Sequence, residues 1–405
     1  MRVLQINTVC GIGSTGRIAS DINKVLKESG HESYIAYGRG EPMNCDTAIP
    51  IGNKVDNYLH AINTRIFDKS GFGSTKATKD FINVIMDIDP DIIHLHNLHG
   101  YYIDIDILFD YLRNANKPII WTLHDCWAFT GHCVHFDYIG CDKWKTACFS
   151  CPQKRRYPES VLYDNSKSNF NKKKELFTKI KNLTIVTPSK WLANIVNHSF
   201  LGDYPVEVIN NGIDLTVFKP SENQFRQIHN LEDKFIVLGV ASTWDERKGL
   251  KYFIELSNQL GENFKVVVVG LTNKQKKNLP NNILGITRTN NTEELAQIYT
   301  TADVFVNPTL EDNFPTTNLE AMACGLPVIT FDTGGSPETI DNDTGFVIEK
   351  ENTKQLINKI IYLNNNGNNK YKTAGMEKAA SYFDKKNMYK SYLKLYTLSL
   401  QKKVE

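Results

Sequence analysis

Short apolar runs rich in Val and Ile alternate with helix-like patterns along this chain, and the series breaks once and begins again. A parallel strand buried on both faces reads as such a continuous apolar run, so the alternation predicts parallel sheets covered by helices. In the first half the runs are Val3–Asn7, Ser33–Ala36, Asp91–His96, Pro118–Leu123 and Leu183–Thr187. In the second they are Phe235–Ala241, Lys265–Val269, Val304–Val306 and Pro327–Phe331. Between the halves, Tyr204 to Asp214 reads as a short strand breaking into an Asn-Gly turn, and Phe235 opens the new series. A chain of 405 residues is too long for one core. The expected fold is α/β: two Rossmann-like, doubly wound domains facing each other across a cleft, at 1–205 and 206–386. A Tyr- and Leu-rich helix is expected at about 387–400. Open α/β sheets bind ligands at the carboxyl ends of their strands, so the two carboxyl edges across that cleft are the expected active site.

Composition excludes several classes. Hydrophobic residues make up 41% and charged residues 23%, as in ordinary globular proteins, and a net charge of +2 gives no reason to expect nucleic acid. The chain opens on a strand-like Met-Arg-Val-Leu-Gln-Ile rather than an apolar leader, and no apolar run is long enough to cross a bilayer. The expectation is a cytoplasmic protein whose membrane contact, if any, is peripheral, at the cytoplasmic face of the inner membrane. Eight Cys do not make a disulfide framework at this length.

The most informative stretch runs from Leu310 to Ile329. A polar turn leads into a short helix near Pro315, which stops at Gly325 before an apolar strand. Amides at a helix start favour anionic or polar ligand groups. Asp312 precedes the helix and Glu320 lies inside it. Asp312-Asn-Phe-Pro-x4-Glu320-Ala-Met-Ala-Cys-Gly-x-Pro resembles the acid-x7-Glu signature of the retaining glycosyltransferases of family 4, which have the GT-B fold. The resemblance implies that Glu320 holds the ribose hydroxyls of a nucleotide sugar. It also implies that Asp312, with Asn313, Phe314, Pro315 and Thr316 after it, meets the donor sugar. Many members carry Glu where this chain has Asp312. The alternative is an ordinary strand–helix–strand corner with two solvated acids.

Further motifs are read against the same resemblance. Thr243-Trp-Asp-Glu-Arg-Lys-Gly is similar to the family's Arg-x4-Lys-Gly segment, which binds the donor diphosphate. Lys248 falls on the Lys, Thr243 stands where the Arg would be, and Arg247 is the residue placed to compensate. Gly11-Ile-Gly-Ser-Thr-Gly16 matches the dinucleotide fingerprint, but the second strand ends at Arg39 rather than at the acid a NAD ribose needs. That leaves an NADP-dependent oxidoreductase or nucleotide-sugar epimerase as an alternative, whereas the resemblance puts Gly13 under the donor phosphates and sugar. His124, closing a strand in Trp-Thr-Leu-His-Asp, corresponds to a family histidine beside the donor sugar, to position it or handle a proton. His99, in the loop beyond His94 and His96, is the expected acceptor contact, and His94 reads as packing. The expected catalytic set is therefore His124, Asp312 and Lys248. The resemblance implies a nucleotide-sugar donor, a glycan or lipid-linked glycan acceptor of polysaccharide biosynthesis, and same-face attack without a covalent nucleophile. No catalytic cofactor or divalent metal is expected. A non-catalytic nucleotide-sugar sensor is the third reading. The basic runs Lys154–Arg156 and Lys172–Lys174 are either solvated surface or an attraction for anionic lipid.

Cys133, Cys141, Cys148 and Cys151 crowd one long loop after the His124 strand. Four thiols closing on Cys-x-x-Cys have the ligand count of a tetrahedral zinc site, structural rather than catalytic. Four reduced thiols buried as small hydrophobes are the alternative.

Overall fold

A computed structural model describes residues 1–401. The chain divides into two compact units, 1–209 together with the chain from Tyr389 onward, and Asn210–Met388. The first unit holds a parallel sheet of β1 (Arg2–Val9), β2 (Glu32–Arg39), β3 (Ala48–Pro50), β4 (Ile92–Leu95), β5 (Ile119–Thr122), β6 (Leu183–Thr187) and β7 (Val206–Val208), in the order β3-β2-β1-β4-β5-β6-β7. The second holds β8 (Phe235–Val240), β9 (Phe264–Val269), β10 (Ile283–Ile286), β11 (Val304–Asn307), β12 (Val328–Phe331) and β13 (Gly345–Ile348), in the order β10-β9-β8-β11-β12-β13. Both orders reverse beside the first strand of their sheet, which is the Rossmann arrangement, and every pairing is parallel.

Central strands β4, β5, β11 and β12 are buried at every position, as their apolar runs require. Helices cover the faces. In the first unit Trp121 and Phe109 close on Phe177 at ring-centroid distances of 4.9 and 4.3 Å. Burying side chains of this size contributes roughly 1.5–3 kcal/mol each.

Two boundaries differ from the sequence reading. β7 pairs with β6 through Ile185↔Val206 and Thr187↔Val208, so it completes the first sheet and the division falls after Ile209, not 205. The tail helix runs Lys385–Gln401, and its tyrosines hydrogen-bond within the first unit: Tyr389 to Asp21 at 2.6 Å, Tyr392 to Thr122 at 3.1 Å and Tyr396 to His94 at 2.7 Å. The basic run Lys172–Lys174 is not one surface patch. Lys172 reaches Asp106 at 3.3 Å, whereas Lys173 is 1% exposed and turned into the core.

Candidate functional site

The expected site residues fall on both units. Arg247, Lys248 and 312–320 lie in the second, and Gly13, His99 and His124 in the first.

In the second unit, β8 and β11 are neighbours, so the chain segments leaving their carboxyl ends emerge side by side. Gly249, at φ +78°, makes this approach close: a Cβ there would stand 2.3 Å from the Pro308 carbonyl oxygen. Leu310 N–H donates to the Arg247 carbonyl at 2.6 Å, and the Arg247 guanidinium reaches back to the Glu311 carbonyl at 3.3 Å. Arg247 also pairs with Asp245 at 3.2 Å, and Asp245 accepts from the Lys248 amide. These ties hold the Lys248 ammonium on the Asp312 carboxylate at 2.5 Å, with both side chains about one-fifth exposed, at 21% and 17%. On its other side Asp312 is fixed by Gly334, at φ +57°. A Cβ on Gly334 would lie 1.9 Å from the Asp312 carbonyl, which accepts from Gly335 N–H at 3.0 Å.

The helix begins at Thr316, one residue after Pro315, which is extended (φ −70°, ψ 113°), and ends at Ala323 ahead of Gly325 at φ +83°. In its first turn the Asn318 amide donates to the Pro315 carbonyl at 3.2 Å, whereas the amides of Thr316 and Thr317 have no acceptor one turn back, as at any helix start. Phe314 is buried and meets the edge of Phe383 at 5.9 Å, so the turn before the helix is anchored by an apolar side chain. Buried Asn318 fixes the helix to its neighbours: it accepts from Asn307 at the end of β11 and donates to Thr339, both at 2.8 Å. Glu320, half-buried on the same helix, accepts from the Tyr299 hydroxyl at 3.0 Å. Burial and the Glu320 charge push the Tyr299 phenol well up, so it stays a donor. One Glu320 carboxyl oxygen is therefore oriented by a neutral phenol.

The first unit's carboxyl edge is built from histidines. His94 is fully buried between Tyr396 at 2.7 Å and Thr122 at 2.8 Å. His96 bridges Gln5 and His124, at 3.1 Å each. Burial holds His94 down at about 3 and His124 at about 4, and puts His96 well below its ordinary value, so all three are neutral imidazoles at neutral pH. His99 differs. Its Nε2 faces Asp125 at 2.7 Å and its Nδ1 the Tyr157 hydroxyl at 2.9 Å. Burial alone would raise the Asp125 carboxyl, but facing His99 outweighs it and holds the group at about 2. Gly13 begins the Gly13–Glu28 helix at φ +65° with open space where a Cβ would be. Arg39, which ends the second strand where a NAD ribose would need an acid, lies over the Tyr101 ring at 5.7 Å.

Cys133, Cys141, Cys148 and Cys151 all line one cavity of about 20 Å³. Among the described residues, no group of three or more His, Cys, Asp or Glu side chains is already set to hold a metal ion. His132, beside this loop, is committed to Asp68 at 2.5 Å.

Sequence reasoning passed over Tyr299, Asn318 and Tyr157, and gave no role to Asp125 or Gly334. A Thr-Gly-Gly pair close after a strand is a signal for a tight backbone approach. Tyr299 sits inside an ordinary helical pattern and carries no local signal.

Comparison with known proteins gives two adjoining family matches. The model described as Glycosyltransferase Family 4 matches residues 15–217, and that described as Glycosyl transferases group 1 matches 221–380. WcaC of Escherichia coli K12, provisionally named a colanic acid biosynthesis glycosyl transferase, is 24% identical over 88% of this chain and 89% of its own length. An Escherichia coli UDP-Gal:α-D-GlcNAc-diphosphoundecaprenol α-1,3-galactosyltransferase is 29% identical over 41% of this chain and 47% of its own. Among solved structures, a sucrose-phosphate synthase from Thermosynechococcus elongatus superposes with a TM-score of 0.73 at 16% identity, covering 98% of each chain. HepE of Anabaena, solved with UDP, gives 0.69 at 15% identity over 98% of this chain and all of its own. At these identities the likeness shows the fold, which is that of the GT-B glycosyltransferases.

Proposed function

Because the chain belongs to glycosyltransferase family 4, we propose that it moves a sugar, with retention of anomeric configuration, from a nucleoside diphosphate sugar to a hydroxyl of a growing polysaccharide precursor. The observation that carries this reading is the second unit's carboxyl edge. There one lysine ammonium is held by the Asp312 carboxylate, a helix starts, and a second carboxylate is oriented by a phenol. The set matches the three parts of such a donor. Lys248 and the first-turn amides after Phe314 suit the diphosphate, which gains charge as the glycosidic bond breaks. Glu320, held by Tyr299, suits two vicinal ribose hydroxyls. Asp312 holds Lys248 in position until the donor arrives and then orients the sugar.

His124 is neutral and rigidly placed, which suits a hydrogen bond to a sugar hydroxyl better than an electrostatic role. His99, oriented by Asp125, is proposed as the acceptor contact. No side chain of the set is assigned as a covalent nucleophile. The proton of the attacking hydroxyl passes to the departing phosphate oxygen on the same face of the sugar. A panel of UDP-, GDP- and ADP-sugars, with NADP beside them, tests the reading by the shift in melting temperature, and product NMR tests retention. An inverted product, or stabilisation by NADP alone, would overturn it.

Relatives named for diphosphoundecaprenol-linked acceptors support a lipid-carried glycan here. The first unit offers a surface suited to that partner. Helix Lys54–Phe67 exposes Val55, Tyr58 and Leu59 at 64, 68 and 59%. The segment 161–163, which exposes Val161, Leu162 and Tyr163, is tied to its end by Val161 N–H to Arg65 O at 2.7 Å and Tyr163 N–H to Ile66 O at 3.1 Å. Lys154, Arg155 and Arg156 precede that segment in the chain. Apolar side chains beside cations suit an anionic lipid surface. Among the described residues no helix is long and apolar enough to span one. The chain is expected to sediment with vesicles rich in phosphatidylglycerol and not with phosphatidylcholine alone. Failure to bind either kind of vesicle would remove the membrane from this reading.

A further inference from the structure

The loop between β5 and the Ser166–Phe177 helix folds around three aromatic rings. Trp144 stacks on Phe136 at 5.0 Å, and Phe129 meets both at 5.8 and 6.3 Å. Beside them four of the loop's five cysteines, drawn from 133 to 151, line the cavity of about 20 Å³. That volume is too small for a substrate and ample for a single ion or water. The Cys133 thiol hydrogen-bonds Cys151. Backbone N–H groups of Gly131 and Gln153 are directed at the sulfurs of Cys148 and Cys151. The Gln153 amide, two residues beyond Cys151 and donating to its sulfur, favours thiolate there, as the outer partners of metal ligands do.

The floor of the loop adds an independent observation. Lys173, 1% exposed, donates to the carbonyls of Trp127 at 2.8 Å and Thr130 at 3.2 Å, and lies 3.4 Å from the centre of the Trp127 ring. Both acceptors are neutral. A buried ammonium is costly unless negative charge lies nearby; burial brings Lys173 down to about 7, and Cys148, Asp68, Cys133 and Asp125 are the groups that oppose the fall. A second cation, Lys143, also lines the cavity.

We propose that Cys133, Cys141, Cys148 and Cys151 together bind one structural zinc ion. Binding Zn²⁺ with four thiols releases four protons and leaves a centre of net charge −2, which accounts for the amides and the buried Lys173 around it. Cys133 and Cys151 now pair with each other, and the four sulfurs do not meet at a point. A zinc–sulfur distance of about 2.3 Å requires the four cysteine side chains to rotate into the cavity that they line. His132 is excluded as a ligand by its bond to Asp68. The role is to close a long segment with little regular structure next to the His99–Asp125 pair.

The test uses the full chain, purified under reducing conditions from zinc-supplemented cells without chelator. Elemental analysis is expected to find about one zinc per chain, and cobalt replacement should give the intense thiolate-to-metal band of a four-sulfur site. Cys148→Ser should lose the metal and melt lower, while Cys45→Ser, outside the loop, should keep it. Wild-type metal content decides the matter even if Cys148→Ser does not fold. Folded wild-type protein without zinc and with eight titratable thiols would overturn the proposal. So would a peptide-mapped Cys133–Cys151 disulfide.

Discussion

At the second sheet's carboxyl edge the charged groups keep contact with solvent: Lys248 and Asp312 are 21% and 17% exposed and pair with each other. At the first sheet's carboxyl edge His94, His96 and His124 are linked to one another or to hydroxyl and amide groups, and burial keeps them neutral. The same fold thus presents one edge that can answer a change in ligand charge and one whose His94, His96 and His124 offer fixed, uncharged hydrogen bonds beside the His99–Asp125 pair. The first suits a leaving diphosphate and the second suits sugar hydroxyls. The difference comes from packing depth rather than residue type alone, since an imidazole at the surface would titrate near neutrality.

Removing the cation should break the comparison most severely. Lys248→Ala is expected to lower turnover roughly 10²–10³-fold, the usual cost of losing a preorganised partner for developing charge. Binding of the free nucleoside should change little. Unchanged turnover would move the diphosphate role to Arg247. Glu320→Gln should come next, weakening donor binding by roughly 1.5–3 kcal/mol, since hydrogen bonds to a charged acceptor become hydrogen bonds to a neutral one. Calorimetry showing equal affinity would disprove the ribose assignment.

The histidine edge predicts a difference in acid stability between the units. A histidine whose folded pKa is depressed contributes nothing adverse above its unfolded value near 6.5. Stability then falls as pH drops from there towards the folded value, by about 1.4 kcal/mol per pH unit for each such group. For His60 and His124, held at about 4, and His94, at about 3, that window runs from about pH 6.5 down to those values. His132 opposes the trend, because Asp68 outweighs burial and raises it. Asp125, held at about 2, keeps its stabilising charge until far lower pH. Of the ten histidines only His229 lies in the second unit. Hydrogen exchange between pH 6.5 and 4.5 should therefore show the first unit opening earlier; parallel loss in both would contradict the neutral-histidine account. The smallest effect is expected from Tyr299→Phe, which removes one neutral donor to Glu320 and should cost donor binding about 1 kcal/mol. A loss as large as that of Glu320→Gln would mean the phenol touches the ligand itself.

Much of this architecture was legible because central strands carry their own signal. Every central strand had a matching apolar run, down to the four-residue β11 and β12. The unread strands β3, β10 and β13 are sheet edges, and β7, the remaining edge, was read as a strand between the halves. Edge strands pair on one side only and their burial is mixed. β3, β10 and β13 are apolar but short, Ala-Ile-Pro, Ile-Leu-Gly-Ile and Gly-Phe-Val-Ile, and each carries a Gly or Pro that reads as a breaker. The helix from Thr316 was legible for a related reason: Pro before it and Gly after it are local devices.

The sequence by itself determined the doubly wound class, the turn-and-helix segment carrying Asp312 and Glu320, and the crowding of four thiols into one loop. These depend on residues near one another in the chain. Tertiary structure alone decided that Asp312 meets Lys248, sixty-four positions away, that Tyr299 orients Glu320, and that Lys173 leaves its basic run for the core. Each depends on which strands lie side by side and on how closely two backbones approach, as at Gly249 and Gly334. Such pairings are set by packing across the whole sheet, and no local pattern encodes them.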